Sequence, residues 1–264
     1  MRITRVIDII LISGVLLVGM GCASKAPTIA HVHLGHVVDG WETTPGQTGL
    51  LETAEIFAQT SADAATRASK SDASLESRKR DIAELVKASH PEYSSKKTNP
   101  VNGKTQGVEF GVRTALLEAV HHIEFSANSD DASTNIRAGS KQFTINSRAV
   151  IDRCDLIAAL GTDALGGGSS VEEVNLLATE LQSLTQANLY GEDLNGDGVI
   201  GGQNAEEYGL KQLRVELQDM IARENPVYNT IEQWYLFNLI RLPSGDWVFR
   251  NSAEDTGGGS SYYY

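Results

Sequence analysis

Cysteine and basic residues are scarce in this 264-residue chain, and both shortages exclude classes of protein. Only two cysteines occur, so stability has to come from core burial instead of a disulfide framework. No Cys-x-x-Cys-His sequence is present, which excludes covalently attached c-type haem. Lysine and arginine total 22 against 34 aspartates and glutamates, giving a net charge of -12. This balance argues against binding nucleic acid through a basic face, and it suits attraction of cations.

Sequence motifs of the common enzyme classes are also missing. The chain has no Gly-x-Ser-x-Gly, no phosphate-binding P-loop, no dinucleotide fingerprint and no His-Glu-x-x-His. Adjacent acidic residues such as Glu172-Glu173 are explained by helix starts, where negative charge meets the positive end of the helix dipole. These absences favour a binding or structural protein over an enzyme.

Residues 1–21 have the pattern of a bacterial signal peptide. Arg2 and Arg5 precede an apolar run from Val6 to Met20, which is interrupted only by Asp8 and is too short for a relaxed transmembrane helix. The segment Val-Gly-Met-Gly before Cys22 resembles the lipobox of bacterial lipoproteins. The resemblance implies that Cys22 becomes a lipid-bearing N-terminus, so that the membrane is the first partner of the chain.

The residue after this cysteine indicates which membrane carries the protein. Ala23 stands where lipoproteins of the inner membrane usually carry aspartate, so the resemblance implies the periplasmic face of the outer membrane. Loss of two positive charges and one negative charge with the signal would leave the mature chain at -13. A plain secretory signal and an uncleaved anchor are the alternatives.

The mature chain is predicted to be mainly α-helical, as an antiparallel bundle. Apolar residues at helical spacing predict a domain over 22–168 and a further pair of helices over 169–224. The predicted helices are Thr28 to Val38, Leu50 to Arg67, Leu75 to Ser89, Val108 to Ser126, Asp131 to Leu160, one opened by Ser170, and one marked by Leu210 to Ile221. Cys154 lies on the apolar face of its helix, which predicts a core cysteine.

The C-terminal residues show a different pattern. Two runs rich in β-forming residues flank Pro243-Ser-Gly-Asp246, which predicts a small hairpin within 225–251, although a short helix is the alternative. Residues 252–264 contain Gly-Gly-Gly-Ser-Ser and end in three tyrosines. Their composition predicts a disordered tail.

The clearest chemical motif is the loop after Tyr190. Its residues Asp193, Asn195, Asp197 and Val199 resemble the EF-hand and dockerin calcium loop, in which three side-chain oxygens and one backbone carbonyl surround the ion. Position 12, where the family has a bidentate glutamate, is occupied by Asn204, and two acidic residues follow it. The resemblance implies a calcium ion held by the four loop residues together with Glu206 or Glu207; the alternative is an Asx-rich turn.

Histidines form the second constellation. His33 and His36 lie three residues apart on the first helix, while His121 and His122 are adjacent on the most apolar helix, where His122 falls on the apolar stripe. Glu118 precedes this pair with a spacing that resembles the Glu-x-x-His element of ferritin-like di-iron bundles. These residues predict a transition-metal or b-type haem site, provided that the two histidine clusters converge.

The sequence therefore favours a periplasm-facing lipoprotein that binds metal, with calcium in one loop and a transition metal or haem at the histidines. The first alternative is a structural or partner-binding lipoprotein whose histidines are core residues and whose calcium only stiffens a turn. A further alternative is a metal-dependent enzyme, which would need an open cleft and a carboxylate beside the histidines.

Overall fold

The computed structural model describes residues 28–94 and 109–224, and beyond them 233–234, 239–241 and 247–249. These residues are mainly helical, which confirms the predicted fold class. The helices are α1 Ile29–Val38, α2 Leu50–Ala68, α3 Leu75–Ser89, α4 Pro91–Ser94, α5 Val112–Asn128, α6 Thr134–Leu165, α7 Val171–Tyr190 and α8 Leu210–Ala222. Short 3₁₀ turns at Pro45–Gln47 and Ala205–Glu207 complete the helical part.

Side-chain caps explain where several helices begin. Thr28 Oγ1 accepts a hydrogen bond from the backbone N–H of His31, so α1 starts one residue after its cap. Ser170 Oγ accepts from the N–H of Glu173, which confirms the predicted start of α7. The predicted span of α3 agrees with the structure at both ends.

The long helix α6 differs from its prediction at both ends. It begins at Thr134, after its Ser133 cap, and not at Asp131. It was expected to close at Gly161, yet it continues to Leu165. The glycine serves packing against α3, because a Cβ atom at Gly161 would lie only 2.2 Å from Cγ2 of Val86. A glycine that looks like a helix stop in the sequence is therefore a point of close contact between two helices.

Helix α5 is central to the fold, as its apolar sequence predicts. It packs against α1, α2 and α6, and its residues Ala115, Leu116, Ala119 and Ile123 are fully buried. It begins at Val112 and not at Val108 because Gly111, with an extended backbone, forms its N-cap. One core cluster joins α5 to α1, α2, α6 and α8, and a second joins the ends of α2 and α6 to α3 and α7.

The predicted core position of Cys154 is confirmed. Its side chain is fully buried in the first core cluster, and Nδ2 of Asn188 donates a hydrogen bond to its sulfur. Burial raises the pKa of the Cys154 thiol to about 12. The thiol is therefore a packed core group and an unreactive one.

Beyond the helices, three short strands pair antiparallel in the order β1 Gln233–Trp234, β2 Leu239–Arg241 and β3 Trp247–Phe249. The residues of the predicted turn lie outside the described residues, so the hairpin stays a prediction. The signal segment and the C-terminal tail also lie outside them. Within the described part of the chain, no helix has both the length and the hydropathy that a membrane span requires.

Candidate metal centre

Packing of α1 against α5 brings the two predicted histidine clusters together. Nδ1 of His122 lies 3.2 Å from Nδ1 of His36 and 3.4 Å from Nδ1 of His33. One ring nitrogen of each residue lies within 4.8 Å of the other two. Among the described residues, this is the one group of three or more histidine, cysteine or acidic side chains with that spacing. The condition set by the sequence, convergence of the clusters, is met.

Contacts from distant parts of the chain fix α1 in this position. Asp131 accepts hydrogen bonds from the first two N–H groups of the helix, those of Ile29 at 2.7 Å and Ala30 at 3.1 Å. Such a carboxylate satisfies N–H groups that have no partner within the helix. Ser126 Oγ of α5 donates to the carbonyl of Ala30 at 2.8 Å. These bonds set the register between the two helices that carry the histidines.

A buried polar network holds the opposite side of α1. His31 points away from the other histidines, and its Nε2 lies 3.1 Å from Oε2 of Glu224 just after α8. Ser133 Oγ and Asn135 Nδ2 donate to the other oxygen of Glu224. Both His31 and Glu224 are almost completely buried. His31 therefore orients α1 and leaves the other histidines to face α5.

Two aromatic residues border the histidine group. The ring of Trp41 lies 4.3 Å from that of His36 and 4.6 Å from that of His122, measured between centroids. The ring of Phe125 lies 5.5 Å from that of His33. Sequence reasoning missed both residues. The spacing of Phe125, three residues after His122 on the same helix, was a usable signal, whereas Trp41 reaches the site through the turn after α1.

The distances fit the coordination of one metal ion. Ligands about 2.0–2.1 Å from a tetrahedral zinc ion are separated from one another by about 3.3 Å. The two measured separations between nitrogen atoms, 3.2 and 3.4 Å, are close to that value. These separations suit a single small ion held between the imidazoles. Haem ligation by the histidines stays a prediction from the sequence.

Comparisons with known proteins add nothing to this picture. No family model, curated protein or solved structure matches the chain. The functional argument therefore depends on the geometry and chemistry of the residues themselves.

Burial keeps the central histidine neutral. The pKa of His122 is lowered to about 4, first by burial and then by the neighbouring His36 and His33. The pKa of His36 is also lowered, by burial and by His33, while Glu42 at the rim acts in the opposite direction. A neutral imidazole retains the lone pair that a metal ion requires. At neutral pH, His122 is therefore available as a ligand without loss of a proton.

The lowered pKa of His122 predicts destabilisation by acid. Between pH 6.5 and about 4 the unfolded chain binds a proton at this residue and the folded protein does not, so stability falls as the pH falls. The free energy of unfolding should drop by up to about 3 kcal/mol across this window through His122 alone. Urea unfolding of metal-free protein at several pH values measures this slope. In His122→Asn the slope should be clearly smaller; an unchanged slope would contradict the assignment.

Two residues proposed from the sequence lie outside the histidine group. His121 is exposed, and Glu118 is partly buried; neither belongs to the cluster of three. Adjacent residues on a helix point about 100° apart, so only one of His121 and His122 can face α1. The described residues therefore do not reproduce a ferritin-like arrangement around Glu118.

The predicted calcium loop is organised around Asp193. Its two carboxylate oxygens accept hydrogen bonds from the N–H groups of Gly196 at 2.7 Å, Asp197 at 3.2 Å and Gly198 at 2.9 Å. Asn195 accepts from the N–H of Asp197, and Asp197 accepts from the N–H of Val199, both at 2.8 Å. The loop is thus a series of Asx turns, with the predicted ligand side chains inside one short segment.

Of the two acidic residues that the sequence offers as a further calcium ligand, Glu207 contacts the loop and Glu206 is exposed to solvent. The Glu207 side chain is fully buried. Its Oε1 accepts from the N–H of Asn195 at 3.2 Å, and its Oε2 accepts from the N–H of Gly201 at 3.0 Å. Asn204, at the position where the calcium-binding family has glutamate, donates its side-chain amide to Oε1 of Glu207. Glu207 therefore joins the two halves of the loop.

Arg153 of α6 holds the loop region against the bundle. Its guanidinium donates to the carbonyls of Ala187 at 2.9 Å, Glu206 at 3.0 Å and Tyr208 at 2.6 Å. These carbonyls lie at the end of α7 and around the 3₁₀ turn before α8. The arginine thus fixes both ends of the loop, a role that sequence reasoning did not find because nothing in the local pattern around Arg153 indicates it.

Proposed function

We propose that this protein is a lipid-anchored protein of the cell envelope that binds one transition-metal ion, zinc or copper, through His33, His36 and His122. The observation that carries the proposal is the convergence of three imidazoles, whose ligand nitrogens all lie within 4.8 Å of one another. The nitrogens of His33 and His36 lie 3.4 and 3.2 Å from that of His122, close to the edge of a tetrahedron around zinc. Imidazole is a preferred ligand of both metals, whereas calcium and magnesium prefer oxygen.

The composition of the site supports an exchangeable ion. All three residues offer imidazole nitrogens as ligands, and His33 and His36 remain partly exposed. Three protein ligands leave a fourth position for water or an external donor, which distinguishes such sites from closed structural zinc sites with four protein ligands. The exposed carboxylate of Glu42 at the rim adds favourable charge for a cation. These features suit capture and release of an ion from the surrounding medium.

The cellular location in this proposal comes from the sequence. The signal pattern of residues 1–21 and the lipobox before Cys22 support a lipid anchor, and Ala23 supports the outer membrane with the protein facing the periplasm. Mass spectrometry of the protein purified from membranes tests the anchor directly, because diacylated Cys22 would form the new N-terminus.

Metal titration of the lipidated protein in detergent tests the histidine site. Calorimetry at pH 7 should show one zinc or copper ion bound per chain by the wild-type protein. In His122→Ala the affinity should fall by about 100-fold, since a ligand is lost from the first coordination shell and loss of outer partners alone costs 10- to 100-fold. Thermal unfolding of the variant shows whether it is folded.

The neighbouring residue offers a matched control for this experiment. His121→Ala removes an exposed imidazole from the same turn of α5 and should leave the affinity unchanged. Equal binding by wild type, His121→Ala and His122→Ala would show that the ion does not use this group. The histidines would then be a hydrogen-bonded core cluster.

We also propose calcium as a structural ion at Asp193, Asn195, Asp197 and the carbonyl of Val199. The favouring observation is that buried Glu207 supplies a carboxylate at the side of the loop where Asn204 replaces the usual glutamate. The carboxylate already accepts hydrogen bonds from the loop, so an ion would add stability to a preformed turn. A single loop of this kind suits structural calcium.

A further inference from the structure

Exposed apolar residues lie beside the three histidines. Ile29, Val32, His33 and His36 follow one another at helical spacing along one side of α1, where the two apolar residues are exposed and the two histidines are partly buried against α5. The first two are 64% and 49% exposed, and Phe125 on α5 is 55% exposed. Because the ring of Phe125 also contacts that of His33, an apolar rim and the metal site share one face of the protein.

This face is close in sequence to the proposed lipid anchor. Cys22 precedes Thr28, the cap of α1, by six residues. A fully extended chain of this length spans about 20 Å. His33 and His36 follow Ile29 within about 11 Å along the helix axis, given a rise of 1.5 Å per residue. An acylated Cys22 would therefore hold α1 near the bilayer, at a high effective concentration.

We propose that the face formed by Ile29, Val32 and Phe125 rests on the surface of the bilayer that carries Cys22, so that the metal site opens toward the lipid–water interface. The inference rests on the lipid anchor of the proposed function. On their own, three partly exposed apolar side chains would bind a bilayer only weakly. The anchor compensates for this, because it keeps the face at a high effective concentration beside the bilayer. Glu124 of α5 and Asp130, two residues after its end, are exposed, and their negative charges favour a zwitterionic over an anionic surface.

Trp41 provides a natural reporter of this orientation, because its ring contacts His36 and His122. The lipidated mature protein is reconstituted in phosphatidylcholine vesicles containing lipid with a nitroxide on the head group. Trp41 emission should fall roughly twofold, since interfacial contacts reach about 5–10 Å into the head-group region. The emission of a Trp41→Phe protein, which retains Trp234 and Trp247, is subtracted as background.

Two variants separate membrane contact from mere tethering. Phe125→Ser should abolish most of the quenching, whereas Leu176→Ser, which changes a 74% exposed leucine on α7, should leave it unchanged. Equal quenching in wild type and Phe125→Ser would overturn the inference, as would absence of quenching in a protein that floats with the vesicles. Chemical cross-linking on the vesicles tests whether the face instead contacts a second copy of the chain. If Phe125→Ser loses cross-links between copies while quenching is unchanged, the inference is wrong and the face belongs to an interface between copies.

Membrane contact and metal binding are tested by independent measurements. Zinc binding is measured in detergent without vesicles, so a metal site that binds zinc can coexist with a face that avoids the membrane. A protein that fails to float with vesicles lacks the anchor, and the inference is then wrong even if zinc binds.

Discussion

Replacing Glu224 by alanine is expected to lower the free energy of unfolding by about 3 kcal/mol, because a buried hydrogen-bond network loses its acceptor. Its carboxylate is 1% exposed and meets Nε2 of His31, Oγ of Ser133 and Nδ2 of Asn135. Truncation would take this acceptor away from buried His31 and from the partly buried Ser133 and Asn135. The loss should also weaken zinc binding, because His31 orients the helix that carries His33 and His36.

Urea unfolding of metal-free protein at pH 7 measures this effect. Glu55→Ala is the matched control, since Glu55 forms an ion pair with Arg214 on α8 that is only partly buried. That pair should contribute about 1 kcal/mol or less. A similar, small loss for both variants would show that the network around Glu224 does not hold α1 in place.

Replacing Glu207 by alanine is expected to cost about 3 kcal/mol in calcium-free solution, because buried donors lose a charged acceptor. The carboxylate is fully buried and accepts from two backbone N–H groups on opposite sides of the loop and from Asn204. Without it, the N–H groups of Asn195 and Gly201 would be left without this acceptor. The loop would then lose the contact that joins its two halves.

The adjacent acidic residue is the control for this prediction. Glu206→Ala removes an exposed carboxylate of the same 3₁₀ turn and should change stability by no more than about 0.5 kcal/mol. Calcium should raise the melting temperatures of the wild type and of Glu206→Ala. The increase should be much smaller for Asp193→Ala and Glu207→Ala. If calcium does not change the melting temperature of the wild type, the loop is an Asx-rich turn that binds no calcium. If calcium-free Glu207→Ala is as stable as the wild type, the Glu207 carboxylate has no structural role.

Local signals in the sequence were sufficient for most of the helices. Periodic apolar residues and the caps at Thr28 and Ser170 act within a few residues, so their effects can be read from the chain itself. Gly161 shows where this reasoning fails. Its small size serves a contact with Val86, 75 positions earlier in the sequence, and no local pattern reveals such a contact.

The candidate site was predictable only in part, for a similar reason. His33 and His36 share a helix face by spacing alone, and the position of His122 on the apolar stripe indicated that it points inward. That these faces meet depends on the packing of α1 against α5 and on anchors such as Asp131 and Glu224. Trp41 enters the site through a turn whose path no helical periodicity describes.

The link between His31 and Glu224 has a consequence for the order of assembly. It joins residues 193 positions apart, so the contact that seats α1 cannot form until nearly the whole helical part has been synthesised. Contacts of such long range close late, because chain entropy opposes them until other parts have folded. The three-histidine group would therefore be completed among the last events of folding, and an incomplete or misfolded chain would not present it to a metal ion.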